Sequence, residues 1–317
     1  MRQIMYTDGN SVGYAAQGSG TKLMAGNVET TAIFGVINSI RAALTAFPSS
    51  APYILWDGHA QFRYDIFPGY KDRSGKDEKI DDLRKRWKAQ RPLVQDALEF
   101  LGVRQLMHPD LEADDLAGQF TDAQVRLGNT VLLYTGDKDW LQLLQPGVAW
   151  HDHRSGEHVT LQGFFDKTGY ETPKAFVEAK ALTGDASDTI PGVGGIGEKT
   201  AQALIAEYKS VAAFRQAAVE KNLKLPKTLA RLVEDQPFEY RKKHYPAPSE
   251  SFKRNIRLMD LRRAPEVTTE RLEVRAPAAV SVDKFQMFCE EHGFQSILND
   301  LSNFLVPFHR ISENYNG

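Results

Sequence analysis

Four short runs of mostly apolar residues punctuate the first half of the chain: Ile4–Thr7, Tyr53–Trp56, Val103–Met107 and Val131–Thr135. Runs of this length, without an alternating polar face, predict strands buried on both sides of a sheet. Between the first two, Ile33, Val36, Ile37, Ile40 and Leu44 recur at helical spacing, so Val28–Phe47 reads as a helix that stops before Pro48. A second helix is predicted over Leu93–Leu101, ending at Gly102, and a third opens after Pro109. Strands alternating with helices as far as residue 150 predict an α/β fold with a mostly parallel central sheet flanked by helices, to which Val148–Trp150 and His158–Leu161 add edge strands. Residues 13–26, rich in Gly, Ser and Ala, read as a mobile loop. Lys174–Leu182 is helical, and another helix runs through Tyr208. From 210 onward the pattern weakens into helical stretches, a basic cluster at Arg241–His244, proline breaks at 246–248 and a flexible tail after Pro307.

Composition changes this picture little, but it narrows the chemistry. The chain has 317 residues, 42% hydrophobic and 25% charged, which suits one large domain or two. No apolar run reaches the roughly 18 residues that span a membrane, and the amino terminus enters a strand directly, so neither a membrane span nor a signal peptide is expected. The single cysteine, Cys289, excludes an internal disulfide and a cysteine-based zinc site and fits a reducing cytoplasm. His151-Asp152-His153, the only close histidine pair, reads as a solvated loop before Arg154-Ser155-Gly156.

Acids recur where those strands end. Ile4–Thr7 runs into Asp8-Gly9-Asn10, Tyr53–Trp56 into Asp57-Gly58, and Val131–Thr135 into Gly136-Asp137-Lys138-Asp139. In open α/β sheets, sites gather at the carboxyl ends of strands. One Asp-Gly is an ordinary turn, but the repetition exceeds what turn chemistry requires. The densest group is Leu111-Glu112-Ala113-Asp114-Asp115-Leu116. Helix capping uses one or two acids. Three this close repel and raise one another's pKa unless a cation sits among them. Carboxylates without a histidine or cysteine cluster suit magnesium. Setting aside the nine acids Asp8, Asp57, Glu112, Asp114, Asp115, Asp137, Asp139, Asp185 and Asp188 leaves 39 basic against 32 acidic residues. The net charge of −2 is thus no argument against a polyanionic partner.

Two segments could meet such a partner. Arg84, Lys85, Arg86, Lys88 and Arg91 surround Trp87, the interleaving of cations and aromatics that suits a nucleic-acid strand; a solvated helix with i,i+4 pairs is the plainer account. Gly184-Asp185-Ala186-Ser187-Asp188 leads into Ile190-Pro191-Gly192-Val193-Gly194-Gly195-Ile196-Gly197-Glu198-Lys199-Thr200. That loop matches neither the P-loop nor the dinucleotide fingerprint, yet its glycines and the following helix start allow backbone N–H groups close to a phosphate. Ile190, Val193 and Ile196 read as its apolar anchors.

Five segments, in this order and spacing, resemble the flap endonuclease/5′-nuclease family, including freestanding bacteriophage 5′-exonucleases and the nuclease domains of bacterial DNA polymerase I. They are Asp8-Gly9-Asn10, Phe62-Arg63 with Pro68-Gly69-Tyr70-Lys71, Glu112-Ala113-Asp114-Asp115, Gly136-Asp137-Lys138-Asp139, and Gly184–Asp188 with its glycine loop, spanning about residues 4–205. Too little chain follows for a polymerase domain, so the phage-like freestanding type is the closer comparison. The resemblance implies a nuclease core over 1–170 with a helical arch at about 62–101, then a helix–three-turn–helix DNA-binding region at about 174–208 within 171–317. It makes the nine acids the ligands of two or more Mg²⁺ ions, with Mn²⁺ as a substitute. It places Tyr70 and Lys71 at the arch base, with Arg73 assisting, although the family often spaces that lysine and arginine one residue further apart. Gly192, Gly195, Gly197, Lys199 and Thr200, with Arg84, Lys85, Arg86 and Lys88, would contact DNA. The implied activity is 5′-3′ exonuclease and flap endonuclease action by a monomer, in replication or repair, on DNA with 5′ ends or flaps, with RNA–DNA hybrids and RNA primers as further substrates. A haloacid-dehalogenase-like phosphatase is the rival, but its Asp-x-Asp is absent at Asp8-Gly9-Asn10. An inactive DNA-structure-binding protein is a second rival, at odds with retention of every acid.

Overall fold

The computed structural model describes residues 1–20, 22–72 and 77–316. Its centre is a seven-stranded sheet built from β1 (Gln3–Asp8), β2 (Ser50–Trp56), β3 (Arg104–Met107), β4 (Thr130–Tyr134), β5 (Val148–His151), β6 (His158–Thr160) and β7 (Glu273–Arg275). Across the sheet the order is β7-β3-β2-β1-β4-β5-β6. The five strands from β3 to β5 are parallel, and an antiparallel strand closes each side. The chain walks outward from β1 to β3, returns, and walks outward again from β4. The reversal at β1 and β4 is the topological switch point where such sheets bind ligands.

Helices cover both faces. They include α1 (Gly9–Gln17), α2 (Thr31–Ala46), α3 (Gln61–Ile66), α4 (Glu78–Phe100) and α5 (Ala113–Arg126). The strand-length apolar runs became strands because both faces are occupied: Met5, Ile54, Leu55, Leu132 and Leu133 are all at most 1% exposed. α2 buries Ile33, Val36, Ile37, Ile40 and Leu44, the set its spacing predicts.

Residues 13–17 are not a mobile loop; they complete α1. Asp8 caps that helix, accepting from the N–H groups of Asn10 at 3.0 Å and Ser11 at 2.9 Å. Gly13 is there for room, since a Cβ would lie 2.3 Å from the Trp87 ring of α4. Val28 and Glu29 likewise leave the predicted helix to pair with Met24–Ala25 in a small ladder.

A second, mostly helical region begins with α6 (Pro173–Thr183) and continues through α7 (Glu198–Tyr208) to α8 (Pro248–Met259). The remainder does not stay there. β7 pairs antiparallel with β3, and Phe285, Phe304, Leu305, Phe308 and Tyr315 are buried in the same apolar core as the sheet. The tail after Pro307 is helical and packed, with the Arg104 N–H donating to the Tyr315 hydroxyl at 3.0 Å. Packing therefore returns the last forty-odd residues to the α/β layer.

Candidate metal centre and nucleic-acid cleft

Asp8 ends β1, Asp57 follows β2, Asp137 follows β4, and Glu112 and Asp114 open α5 after β3, so the sheet itself carries these acids to one edge. Asp8, Asp114 and Asp137 each offer a carboxylate oxygen within 4.8 Å of the others. Their surroundings fix rotamers: Thr135 Oγ1 lies 3.3 Å from Asp8, Trp140 Nε1 donates to Asp114 at 2.7 Å, and the Asp139 N–H donates to Asp137 at 2.7 Å. Asp57 is oriented by Asn10 Nδ2 at 2.6 Å and the Ala113 N–H at 2.9 Å, while Trp87 Nε1 holds Asn10 in turn at 3.0 Å.

Electrostatics shows what this arrangement lacks. Burial and then the neighbouring Asp57 raise Asp8 to about 7. Burial and then Asp139 raise Asp137 to about 6. Asp114 is pushed well above the usual carboxylate range by burial, Asp137 and Asp8. Among the described residues none of these three is paired with a lysine or arginine at ion-pair distance. An all-oxygen donor set with uncompensated charge fits a hard divalent cation.

Glu112, Asp139 and Asp185 instead have protein cations. Glu112 accepts from Lys71 Nζ at 2.7 Å and the Tyr70 hydroxyl at 2.8 Å, with Arg63 Nη1 3.3 Å away. Burial raises Glu112, but Lys71 and Arg63 outweigh it and hold the carboxyl below its ordinary value. Lys71 is shifted upward: burial opposes its charge, and Glu112 together with Tyr70, Asp188 and Asp57 outweighs it. On the far side Lys180 Nζ bridges Asp139 and Asp185, the latter at 3.3 Å. Asp185 also accepts from the Ser187 N–H at 2.8 Å, and Asp188 lies 3.4 Å from the Tyr70 hydroxyl.

Asp115 corrects the expected set. It is fully buried, both its oxygens are bound by Arg63 at 2.7 and 2.6 Å, and it accepts the Glu112 N–H at 2.9 Å. Breaking a buried pair of this kind costs about 3–5 kcal/mol, so Asp115 is an anchor for the Glu112 turn and has no oxygen facing the cleft. Arg86 is a second correction: Glu29 takes it at 2.9 Å through Nε, tying α4 to the Met24–Glu29 ladder. Arg73 lies outside the described residues. Lys180, Asn10 and Trp140 were given no role from the sequence, Lys180 because one lysine in an amphipathic helix carries no signal, and Asn10 although it stands in the Asp8-Gly9-Asn10 segment.

Between α4 and the acids lies a cleft of about 710 Å³, whose lining includes Asp57, Lys71, Glu112, Arg84, Lys85 and Lys88. Tyr14, Tyr64 and Trp87 give it aromatic walls. Further along, Ile190, Val193 and Ile196 do anchor the glycine loop in the core. Gly194 has φ +48°, and a Cβ there would strike Phe238, so the loop needs glycine both for conformation and for contact with the 238–245 hairpin. Gly192 is a packing residue, since a Cβ would lie 2.4 Å from the Thr183 carbonyl. Gly197, with open space around it, and exposed Lys199 begin α7 on the surface.

A parallel sheet with a half-buried carboxylate cluster at its switch point, joined to a glycine-looped helical region, defines an α/β protein whose clustered acids suit a divalent cation. The chain belongs to the 5′-3′ exonuclease family: the family model for the N-terminal resolvase-like domain matches residues 3–169, and that for the C-terminal SAM fold matches 171–251. A 5′-3′ exonuclease of Bacillus subtilis is 34% identical over 190 residues, covering 58% of this chain and 61% of that protein. The thermostable DNA polymerase I of Thermus aquaticus is 31% identical over 252 residues, 75% of this chain but 29% of the polymerase. The match thus spans about a quarter of the length of such polymerases. Among solved structures, the bacteriophage T5 flap endonuclease in complex with DNA and metal ions superposes with a TM-score of 0.64 at 20% identity, covering 98% of this chain and all of that one. T5 5′-exonuclease with bound zinc gives 0.65 at 20% identity with the same coverage. Family membership sets aside the phosphatase reading.

Proposed function

We propose that this chain is a structure-specific 5′ nuclease that hydrolyses DNA phosphodiesters at 5′ ends and flaps, using two divalent cations, Mg²⁺ with Mn²⁺ as a substitute. The observation that carries the reading is the uncompensated Asp8–Asp114–Asp137 cluster, with Lys71 on Glu112 at the edge of the same cleft. Asp8, Asp114 and Asp137, with Asp57 and Glu112 beside them, would hold one cation. Asp139, Asp185 and Asp188 would hold the other, with Lys180 pairing with Asp139 and Asp185 in its absence. Bound there, divalent cations supply an activated water and neutralise charge on the phosphate and leaving group.

The chain's own groups bind and orient. Lys85 and Lys88, exposed on α4, meet backbone phosphates of the strand in the cleft. Tyr14 and Tyr64, partly exposed on the cleft wall, offer faces for unstacked bases. Lys71 shifts its ammonium from Glu112 to a non-bridging oxygen of the scissile phosphate. Gly195, Gly197, Lys199 and Thr200 hold duplex phosphates without reading sequence. Among the described residues no helix is long and apolar enough to cross a membrane; we assign the activity to a cytoplasmic monomer acting in replication or repair.

The test is a 5′-labelled flap duplex. Mg²⁺ or Mn²⁺ should support cleavage, Ca²⁺ should support binding alone, and excess EDTA should stop the reaction. Undiminished cleavage in EDTA, or hydrolysis of a small phosphate monoester in place of the flap, overturns the proposal.

A further inference from the structure

β5 runs parallel to β4 and so delivers the turn that follows it to the carboxyl edge, beside the Gly136–Asp139 loop. The sequence reads this His151-Asp152-His153 turn as solvated; the structure makes it part of the site's frame. Asp152 is buried and fixes the turn, accepting from the Arg154 N–H at 2.9 Å and the Ser155 hydroxyl at 3.0 Å. The next two side chains then converge on Gly136. Ser11 Oγ accepts the Gly136 N–H at 3.1 Å and lies 3.2 Å from His153 Nε2, which can take the hydroxyl proton when the ring is protonated on Nδ1. Arg154 Nη2 donates to the Gly136 carbonyl at 2.9 Å. The guanidinium also occupies the space a side chain would need: a Cβ on Gly136 would lie 2.6–2.7 Å from Nε, Cζ and Nη2. Both polar groups of the residue before Asp137 are therefore held, one through Ser11 and one directly. Ser11 itself donates its N–H to Asp8 at 2.9 Å.

We infer that His153 and Arg154 are positioning residues for the cation site, locking the Gly136 peptide and with it the spacing of Asp137 from Asp8. The inference rests on the reading of Asp8, Asp114 and Asp137 as cation ligands. Three crowded carboxylates repel, and a free loop would swing Asp137 away until a cation pulled it back. A loop held from both sides keeps the ligands ready, the way outer groups support metal ligands elsewhere. Arg154 is 57% exposed, so contact with a DNA phosphate is the competing role.

Mn²⁺ binding to the DNA-free protein, measured by titration calorimetry, separates them. Arg154→Ala and His153→Ala should each weaken Mn²⁺ binding about tenfold, with His153→Gln recovering most of the loss by accepting the Ser11 hydroxyl. Gly136→Ala should mimic Arg154→Ala, and the double variant should be no worse than either single one, because both remove the same contact. Melting in EDTA should stay close to that of the parent. Mn²⁺ affinity within twofold of the parent in both alanine variants overturns the inference, as does a loss confined to flap affinity in Ca²⁺ with a shallower salt dependence. If the parent binds no Mn²⁺, the cation reading falls and takes this inference with it.

Discussion

Lys71 sits with φ of +50°, in the left-handed region that costs a residue with a side chain roughly 1–2 kcal/mol. The strain is held by neighbours: the Lys71 N–H donates to the Asp188 carbonyl at 2.9 Å, and the Thr189 hydroxyl donates to Gly69 O. Backbone strain maintained beside a charged cleft points to a demand for one particular side-chain direction. Lys71→Ala should lower single-turnover flap cleavage by at least about a hundredfold, the loss expected when one transition-state donor is removed, with flap affinity in Ca²⁺ little changed. Added Mn²⁺ should not rescue it, whereas it should partly rescue Asp139→Asn and Asp185→Asn. Rescue of the lysine variant would remove Lys71 from transition-state stabilisation. Lys71 was legible only through its resemblance-bearing neighbours Pro68-Gly69-Tyr70. Asp115 was misread for a physical reason: adjacent acids look alike in sequence, and which one meets Arg63 depends on a contact fifty-two residues away. The same holds for Lys180, whose partners lie in other elements.

Among the elements, the strands were the most readable, because burial on both faces leaves an uninterrupted apolar run. α1 was missed because small residues chosen for close approach to Trp56 and Trp87 mimic loop composition. β7 was missed because Glu273, Val274 and Arg275 are all exposed and offer no apolar pattern. The glycine loop was legible through Ile190, Val193 and Ile196, though not the split between packing glycines and surface ones. That split predicts unequal outcomes. Lys199→Ala should weaken duplex binding and reduce the slope of log K against log salt by roughly 0.9, one phosphate contact. Gly192→Ala should instead lower the melting temperature, since it drives a methyl into the Thr183 carbonyl. An unchanged slope and affinity for Lys199→Ala would assign that helix start to folding alone.

Across the whole molecule, the crowded acids tie stability to pH. Asp8 at about 7 and Asp137 at about 6 lie above their unfolded values, and so does Asp114. Groups raised on folding stabilise fully below their unfolded pKa, near 4, and lose that contribution as pH rises through the folded value. Metal-free protein should therefore melt lower at pH 7.5 than at pH 5 on this account, and Mn²⁺ should restore most at the higher pH. Asp8→Asn should melt above the parent in EDTA at pH 7.5, with the gap closing toward pH 5, and should respond weakly to Mn²⁺. A gap that is constant with pH would show that the cluster is not under electrostatic strain.

The outer strand of the sheet comes from residues 273–275, yet it covers β3, which ends at Met107. A ribosome adding about 5–20 residues per second leaves roughly ten to thirty seconds between the two. For most of that interval, from the completion of β5 at His151 onward, all five parallel strands have been made, and one flank of the sheet has nothing beside it. Bare edges are where chains pair with the wrong neighbour. On a polysome, where several copies grow side by side, the hazard in this protein's life is its own sibling chain, and it ends when β7 folds back onto β3.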